Sequence, residues 1–154
     1  MIYRCLVNKV IVKFKDGKIL KGWTENISPN KETFHLYKTE EFREKGEKDI
    51  VEIKLSSLKV VFFVKNHKGN KDYKKVRTFE GQPKITPSQR KIIVTCNDDE
   101  KIYGTTLGYN PIKKGFFISP IDPEDNNERI FIIQESVKSV DLLEFDKNDL
   151  SKDD

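Results

Sequence analysis

With 154 residues and 29 Lys or Arg against 25 Asp or Glu, the chain has a formal net charge of only +4, too little by itself to mark a polyanion-binding protein. Alanine is absent, and Ile, Val and Phe supply most of the apolar residues, which favours strands over helices. No apolar run is long enough to span a membrane, and Arg4, Lys9 and Lys13 interrupt the start where a signal peptide needs a hydrophobic stretch, so the expectation is a cytoplasmic protein with no membrane partner.

Taken in order, Val10, Val12 and Phe14 recur at period two and predict a first strand. Lys15-Asp16-Gly17-Lys18 follows, and Asp-Gly between two apolar runs is a strong hairpin signal because Gly supplies the positive φ of such turns. The second strand covers Ile19 to Thr24, with Gly22 at a position that predicts a bend or a close backbone approach. Phe34-His35-Leu36 is a short third strand entered through Ser28-Pro29-Asn30, and Tyr37 to Ile50 is a polar loop or short helical turn. Val51 to Leu55 alternates again, and Leu58 to Val64 is the most apolar run in the chain.

The plan then returns. Lys9 to Leu36 reads again without a gap at Lys91 to Ile118, placing Val10-Ile11-Val12 on Ile92-Ile93-Val94, Gly22 on Gly104 and Phe34 on Phe116. After a loop of different length, Val51, Ile53, Leu58 and Val61 match Ile130, Ile132, Val137 and Val140. The matched positions are apolar, Gly, Pro or turn residues, so the internal repeat speaks of architecture and not of chemistry. Five short strands with a bent second strand describe a small curved antiparallel barrel. The expected fold is all-β, with two tandem five-stranded barrels at 1–66 and 91–145, a basic linker at 67–90 and an acidic, disordered tail at 146–154. Units of roughly 60 to 75 residues bury too little surface to be robust alone, so the two are expected to form one rigid body.

The pattern Val-x-Val-x-Phe-x-Asp-Gly from Val10 to Gly17, with Gly22 beyond it, resembles the first motif of Sm-like barrels, a fold related in shape to SH3-like barrels. The RNA-binding residues of Sm-like proteins do not carry over: Ile27-Ser28-Pro29-Asn30 and Leu58-Lys59-Val60 stand in their places. Gly22-x-Thr24, Ser28-Pro29, Phe34-x-Leu36, Val61 to Lys65 and then Gly69, Asn70 and Tyr73 are similar to an uncharacterised bacterial family of tandem small barrels. Its modules occur alone or attached to bacterial signalling domains, which implies a regulatory or interaction role.

Chemistry-bearing patterns are sparse. His35 and His67 lie in different elements, no His or Cys cluster has zinc spacing, and no Ser-His-acid set or phosphate-binding glycine loop is present. The expectation is therefore a non-enzyme with neither metal nor cofactor. Cys5 and Cys96 form no CxxC pair, and Cys96, aligned with Phe14, is expected to be a reduced core residue. Asp122 to Glu128 concentrates oxygen ligands but lacks the glycine and alternation of a calcium loop, and reads as a strand connection. Asn26 to Lys31 is similar to half of the PilZ dinucleotide signature, yet the Gly is replaced by Lys31 and the paired arginines are missing.

Two candidate surfaces remain. Lys65 to Lys91 has a net charge of +7; in it Lys65, Lys68, Lys71, Lys74, Lys75 and Arg77 suit phosphates while Tyr73 and Phe79 offer rings for stacking, although a solvated basic linker is the plainer reading. In Phe62-Phe63 one ring must face away from its own core, either onto the other barrel or onto a partner. Trp23, whose counterpart is Thr105, is not demanded by the repeat. Trp23, Phe62, Phe63 and Tyr73 are thus the candidate contacts of an interaction module of regulatory or scaffolding type that acts through an unidentified protein partner. A nucleic-acid binder using the linker is the alternative.

Overall fold

A computed structural model of the chain describes residues 8–25, 27–38, 50–69, 79, 88–122 and 124–143. Ten strands carry the fold: β1 (Asn8–Phe14), β2 (Ile19–Thr24), β3 (Thr33–Tyr37), β4 (Ile50–Lys54), β5 (Leu58–Val64), β6 (Arg90–Cys96), β7 (Lys101–Thr106), β8 (Gly115–Pro120), β9 (Asn127–Ile133) and β10 (Val137–Leu142). Short 3-10 turns at Leu55–Ser57 and Gln134–Ser136 lead into β5 and β10. The strand-favouring composition is thus matched by an all-β fold among the described residues, and no helix among them is long and apolar enough to cross a membrane.

All ten strands belong to one antiparallel sheet in the order β10-β6-β7-β8-β9-β5-β1-β2-β3-β4, open at β10 and β4. Each half has the same local order, and the pairing registers recur. Val10 faces Gly22 as Ile92 faces Gly104, Trp23 faces Tyr37 as Thr105 faces Ser119, and Val12 faces Val61 as Val94 faces Val140. The first hairpin turns through Gly17 at φ 91°, and the second turns at the aligned Asp99, which holds φ 69°. Asp is one of the few residues with a side chain that tolerates this conformation.

Gly22 and Gly104 mark the same close approach. A Cβ on Gly22 would lie 2.5 Å from the Tyr37 carbonyl oxygen, and one on Gly104 would lie 2.5 Å from that of Ser119. The backbones of the second and third strands meet there, so both positions demand a residue without a side chain.

The halves join at β5 and β9, where Val61 faces Phe131 and Phe62 faces Ile130. This explains the apolar surplus of Leu58 to Val64, because both faces of the seam are covered. One face of β5 sends Val61 and Phe63 into a first core with Val10, Phe34 and Ile53, and β9 adds Phe131 and Ile133 to it. The opposite face sends Val60 into a second core with Ile92, Val94 and Ile118, together with Ile130 and Ile132 of β9. A strand apolar on consecutive positions is the signature of burial on both faces. Each core is therefore completed by a strand from the other half of the chain.

Polar contacts follow the same line. The Ser136 hydroxyl donates to the Leu58 carbonyl at 2.8 Å in a buried position, the Lys65 amide donates to the Asn126 carbonyl at 2.8 Å, and the Lys113 ammonium donates to Asn30 Oδ1 at 2.7 Å.

Two outcomes are expected from this arrangement. Phe131→Ala removes a fully buried ring from the seam and should lower stability by about 3–5 kcal/mol. Its urea transition should stay single, with Trp23 fluorescence reporting the first half and far-UV circular dichroism the whole chain; two separated transitions would mean independent halves. Gly22→Ala and Gly104→Ala should each destabilise by roughly 1–3 kcal/mol, since the new methyl group meets rigid backbone.

Candidate functional site

The aromatic candidates occupy different places. Phe63 is only 2% exposed in the first core and lies 5.7 Å from the Phe117 ring, so its side chain is internal. Phe62 is partly buried against the second core. Of the two rings, one thus faces its own core and the other the neighbouring one. Trp23 is half-buried and packs edge-on against His67 at 4.7 Å, with its indole Nε1 buried and without a hydrogen-bond partner among the described residues. His67 Nε2 lies 2.9 Å from the Gly22 carbonyl oxygen, and Lys21 donates to the His67 carbonyl at 2.9 Å. These contacts tie His67, just past β5, back onto β2.

Lys65 and Lys68 are exposed. Lys71, Lys74, Lys75, Arg77 and Tyr73 lie outside the described residues, as does Cys5. Phe79 packs edge-on against Tyr103 at 5.9 Å, with the Lys91 ammonium 5.1 Å from its ring. The acidic segment of residues 122–128 is folded on its own backbone: Asp122 Oδ1 accepts from the Glu124 amide at 3.0 Å and Asp125 Oδ1 from the Asn127 amide at 2.9 Å. Cys96 is free and buried, and burial pushes its thiol up to about 11, which leaves it protonated and unreactive at neutral pH.

A charged triad at the seam was not expected from the sequence. Lys59 of β5 reaches the second hairpin, where its ammonium donates to Asp98 Oδ2 at 2.7 Å and also to Glu100. Its side chain is only 8% exposed. Burial alone would lower the Lys59 pKa, but the two carboxylates outweigh it and hold it above the ordinary value of 10.5. The hydrogen bond from Lys59 in turn holds the Asp98 carboxyl below its ordinary 3.8. The triad clasps the two halves at one end of the seam.

The open surface of the second half has a different character. The loop between β7 and β8 exposes Leu107 at 79% and Ile112 at 90%. A cleft of about 420 Å³ on one side is lined by Leu107, Phe116, Phe117, Thr105, Lys113 and Arg129 among others. A second depression of about 640 Å³ is lined by Ile112, Lys114, Glu32 and Leu55 among others. The Arg129 guanidinium lies 4.5 Å from the Phe63 ring centroid and 4.9 Å from that of Phe117. Sequence reasoning missed Arg129, and a signal for it existed: the repeat places it opposite the apolar Ile50, and a charge where one copy has an aliphatic residue marks a local departure from pure architecture.

The chain belongs to a family of unknown function (DUF6982), whose profile covers residues 6–144. No curated protein and no solved structure matches it.

Removing the clasp should be measurable. Lys59→Ala is expected to cost about 2–3 kcal/mol, since two charge-assisted hydrogen bonds and a buried aliphatic stem are lost. Asp98 has a depressed pKa, so its contribution is complete above its ordinary 3.8 and fades as pH falls below that value. Lys59 has a raised pKa, so its contribution is complete below 10.5 and fades as pH rises past it. The stability difference between wild type and variant in urea should therefore be flat from about pH 5 to 9 and shrink at both extremes; a difference that varies across neutral pH would contradict the assignment.

Proposed function

We propose that this member of the DUF6982 family is a non-enzymatic, cytoplasmic interaction module of regulatory or scaffolding type, built by internal duplication from two small Sm-like or SH3-like barrels and acting through protein contacts. The barrel reading rests on the cores. Val61 of β5 and Ile53 of β4 stand at opposite margins of the first five-strand stretch yet share one cluster, as do Val140 of β10 and Ile132 of β9 in the second. A five-strand stretch whose margins share a core must curl toward itself. Recurrence of the pairing registers supports descent of both halves from one unit.

A single observation carries the protein-contact reading: Leu107 and Ile112 stand out in solvent on one loop, with clefts on both sides of it. Scattered apolar residues on a surface are ordinary, but two large aliphatic side chains presented together beside concave surface suit docking of another protein. The interior nucleophile and the buried ammonium are meanwhile committed to structure, Cys96 to the second core and Lys59 to the seam.

The competing reading is nucleic-acid binding through the basic linker, and one pair of measurements separates the two. Wild-type protein used as bait in extract of its source cells should retain a protein that the Leu107→Glu, Ile112→Glu double variant loses, with Lys68→Glu leaving capture unchanged. Single-stranded RNA and DNA should show no binding at low salt by fluorescence anisotropy. Binding that weakens steeply as salt rises, together with capture indifferent to the loop substitutions, would replace this reading with the electrostatic one.

A further inference from the structure

The two halves depart from each other most clearly at one place. Trp23 faces Tyr37 across β2 and β3, whereas the aligned positions across β7 and β8 hold Thr105 and Ser119. Two large rings are replaced by two hydroxyl side chains, and the 420 Å³ cleft is lined by both of those residues. The second half thus keeps open a space of the kind that the first half fills. Its volume falls within the range of small-molecule sites.

The walls of the cleft have a consistent electrostatic sign. Arg129 and Lys113 line it, and none of the fourteen described residues that line it is a carboxylate, although 25 of the 154 residues are acidic and about two acids would be expected among fourteen by composition. Lys113 is held by Asn30 Oδ1. Arg129 rests against the Phe63 and Phe117 rings, and its guanidinium has neither a hydrogen-bond nor an ion-pair partner among the described residues. The two rings hold the guanidinium beside the cleft, with its donors unpaired among the described residues. An arginine oriented in this way is suited to a planar or tetrahedral oxyanion, because two parallel N–H groups meet two oxygens without first having to be ordered.

We propose that this cleft binds a small organic anion, in which one phosphate or carboxylate group is carried on a flat or apolar body. The oxyanion sits on the Arg129 fork, with Lys113 adding positive potential. Thr105 and Ser119 offer neutral hydrogen bonds at the floor, and the body of the ligand lies against Phe116 and Leu107. The site shares Leu107 and this cleft with the docking surface but rests on Arg129, Thr105 and Ser119 and needs no protein partner, so either reading can fail alone.

Phenyl phosphate, benzoate and inorganic phosphate serve as probes, titrated to about 10 mM against the full-length protein, with the Arg129 Nε–H and the Thr105 and Ser119 amides followed by NMR. Phenyl phosphate or benzoate should give saturable shifts at all three groups, at least tenfold tighter than inorganic phosphate, and the ranking of the two aromatic probes identifies the oxyanion. Arg129→Gln should weaken binding at least tenfold and Arg129→Lys by less, with the melting temperature lowered by only a few degrees because what is lost is an exposed cation resting on two rings. Thr105→Trp, which installs the first half's residue, should abolish binding while keeping the arginine. Absence of saturable shifts with every probe overturns the proposal, as does saturation that survives Arg129→Gln, which would reveal only diffuse attraction to surface lysines.

Discussion

The ladder between β5 and β9 is the interaction on which the rest of this structure depends. It is the only place where strands of the two halves exchange backbone hydrogen bonds among the described residues, and it lies between the two cores. Because alternate side chains of both strands enter alternate cores, the ladder cannot be opened without exposing apolar surface on both sides at once. A half of this size would be marginal by itself. Sharing two strands gives each half additional buried area without lengthening its own chain. The buried Ser136 hydroxyl and the Lys59 clasp then fix the register at one end, where a slip of one residue would turn every apolar side chain toward the wrong core.

Freedom from packing duty is distributed unevenly between the halves. In the first, Trp23 and Tyr37 face each other across the strands beside the bend at Gly22, and His67 packs on Trp23 there. In the second, the corresponding bend at Gly104 is flanked by Thr105 and Ser119, and the neighbouring loop exposes Leu107 and Ile112. Two halves with the same strand order can divide labour in this manner, since they need to agree only on the positions that shape the backbone. The glycines, the hairpin turns and the inward β-branched residues agree; the residues around the cleft do not.

The same division decides what the sequence discloses. Period-two apolar runs placed β2 and β5 within their observed bounds and β1, β3 and β4 within one or two residues of them, because strand burial is a local pattern. Repetition at a constant spacing identified Gly22 and Gly104 as a shared constraint, and the structure supplies its cause in a 2.5 Å approach to a carbonyl. The β5 to β9 pairing is a contact between segments more than sixty residues apart, and only the excess of apolar residues in Leu58 to Val64 hinted that something covers the second face of that strand. Lys59 and Arg129 were invisible for a different reason: a single charged residue in a charged chain has no pattern, and its role appears only when burial or stacking is known.

The margins of the sheet carry a further consequence. The seam positions Val60, Phe62 and Phe131 align with Ser139, Asp141 and Glu52 on the two open edges, β10 and β4. If a second chain added itself through the pairing that joins the halves, Asp141 would take the place of Phe62 and Glu52, with the His35 imidazole 3.9 Å away, that of Phe131, and each carboxylate would be aimed into an apolar core. Desolvating such groups opposes the addition. The backbone geometry that joins the halves inside the chain is thereby opposed by charge at the two open edges of the sheet.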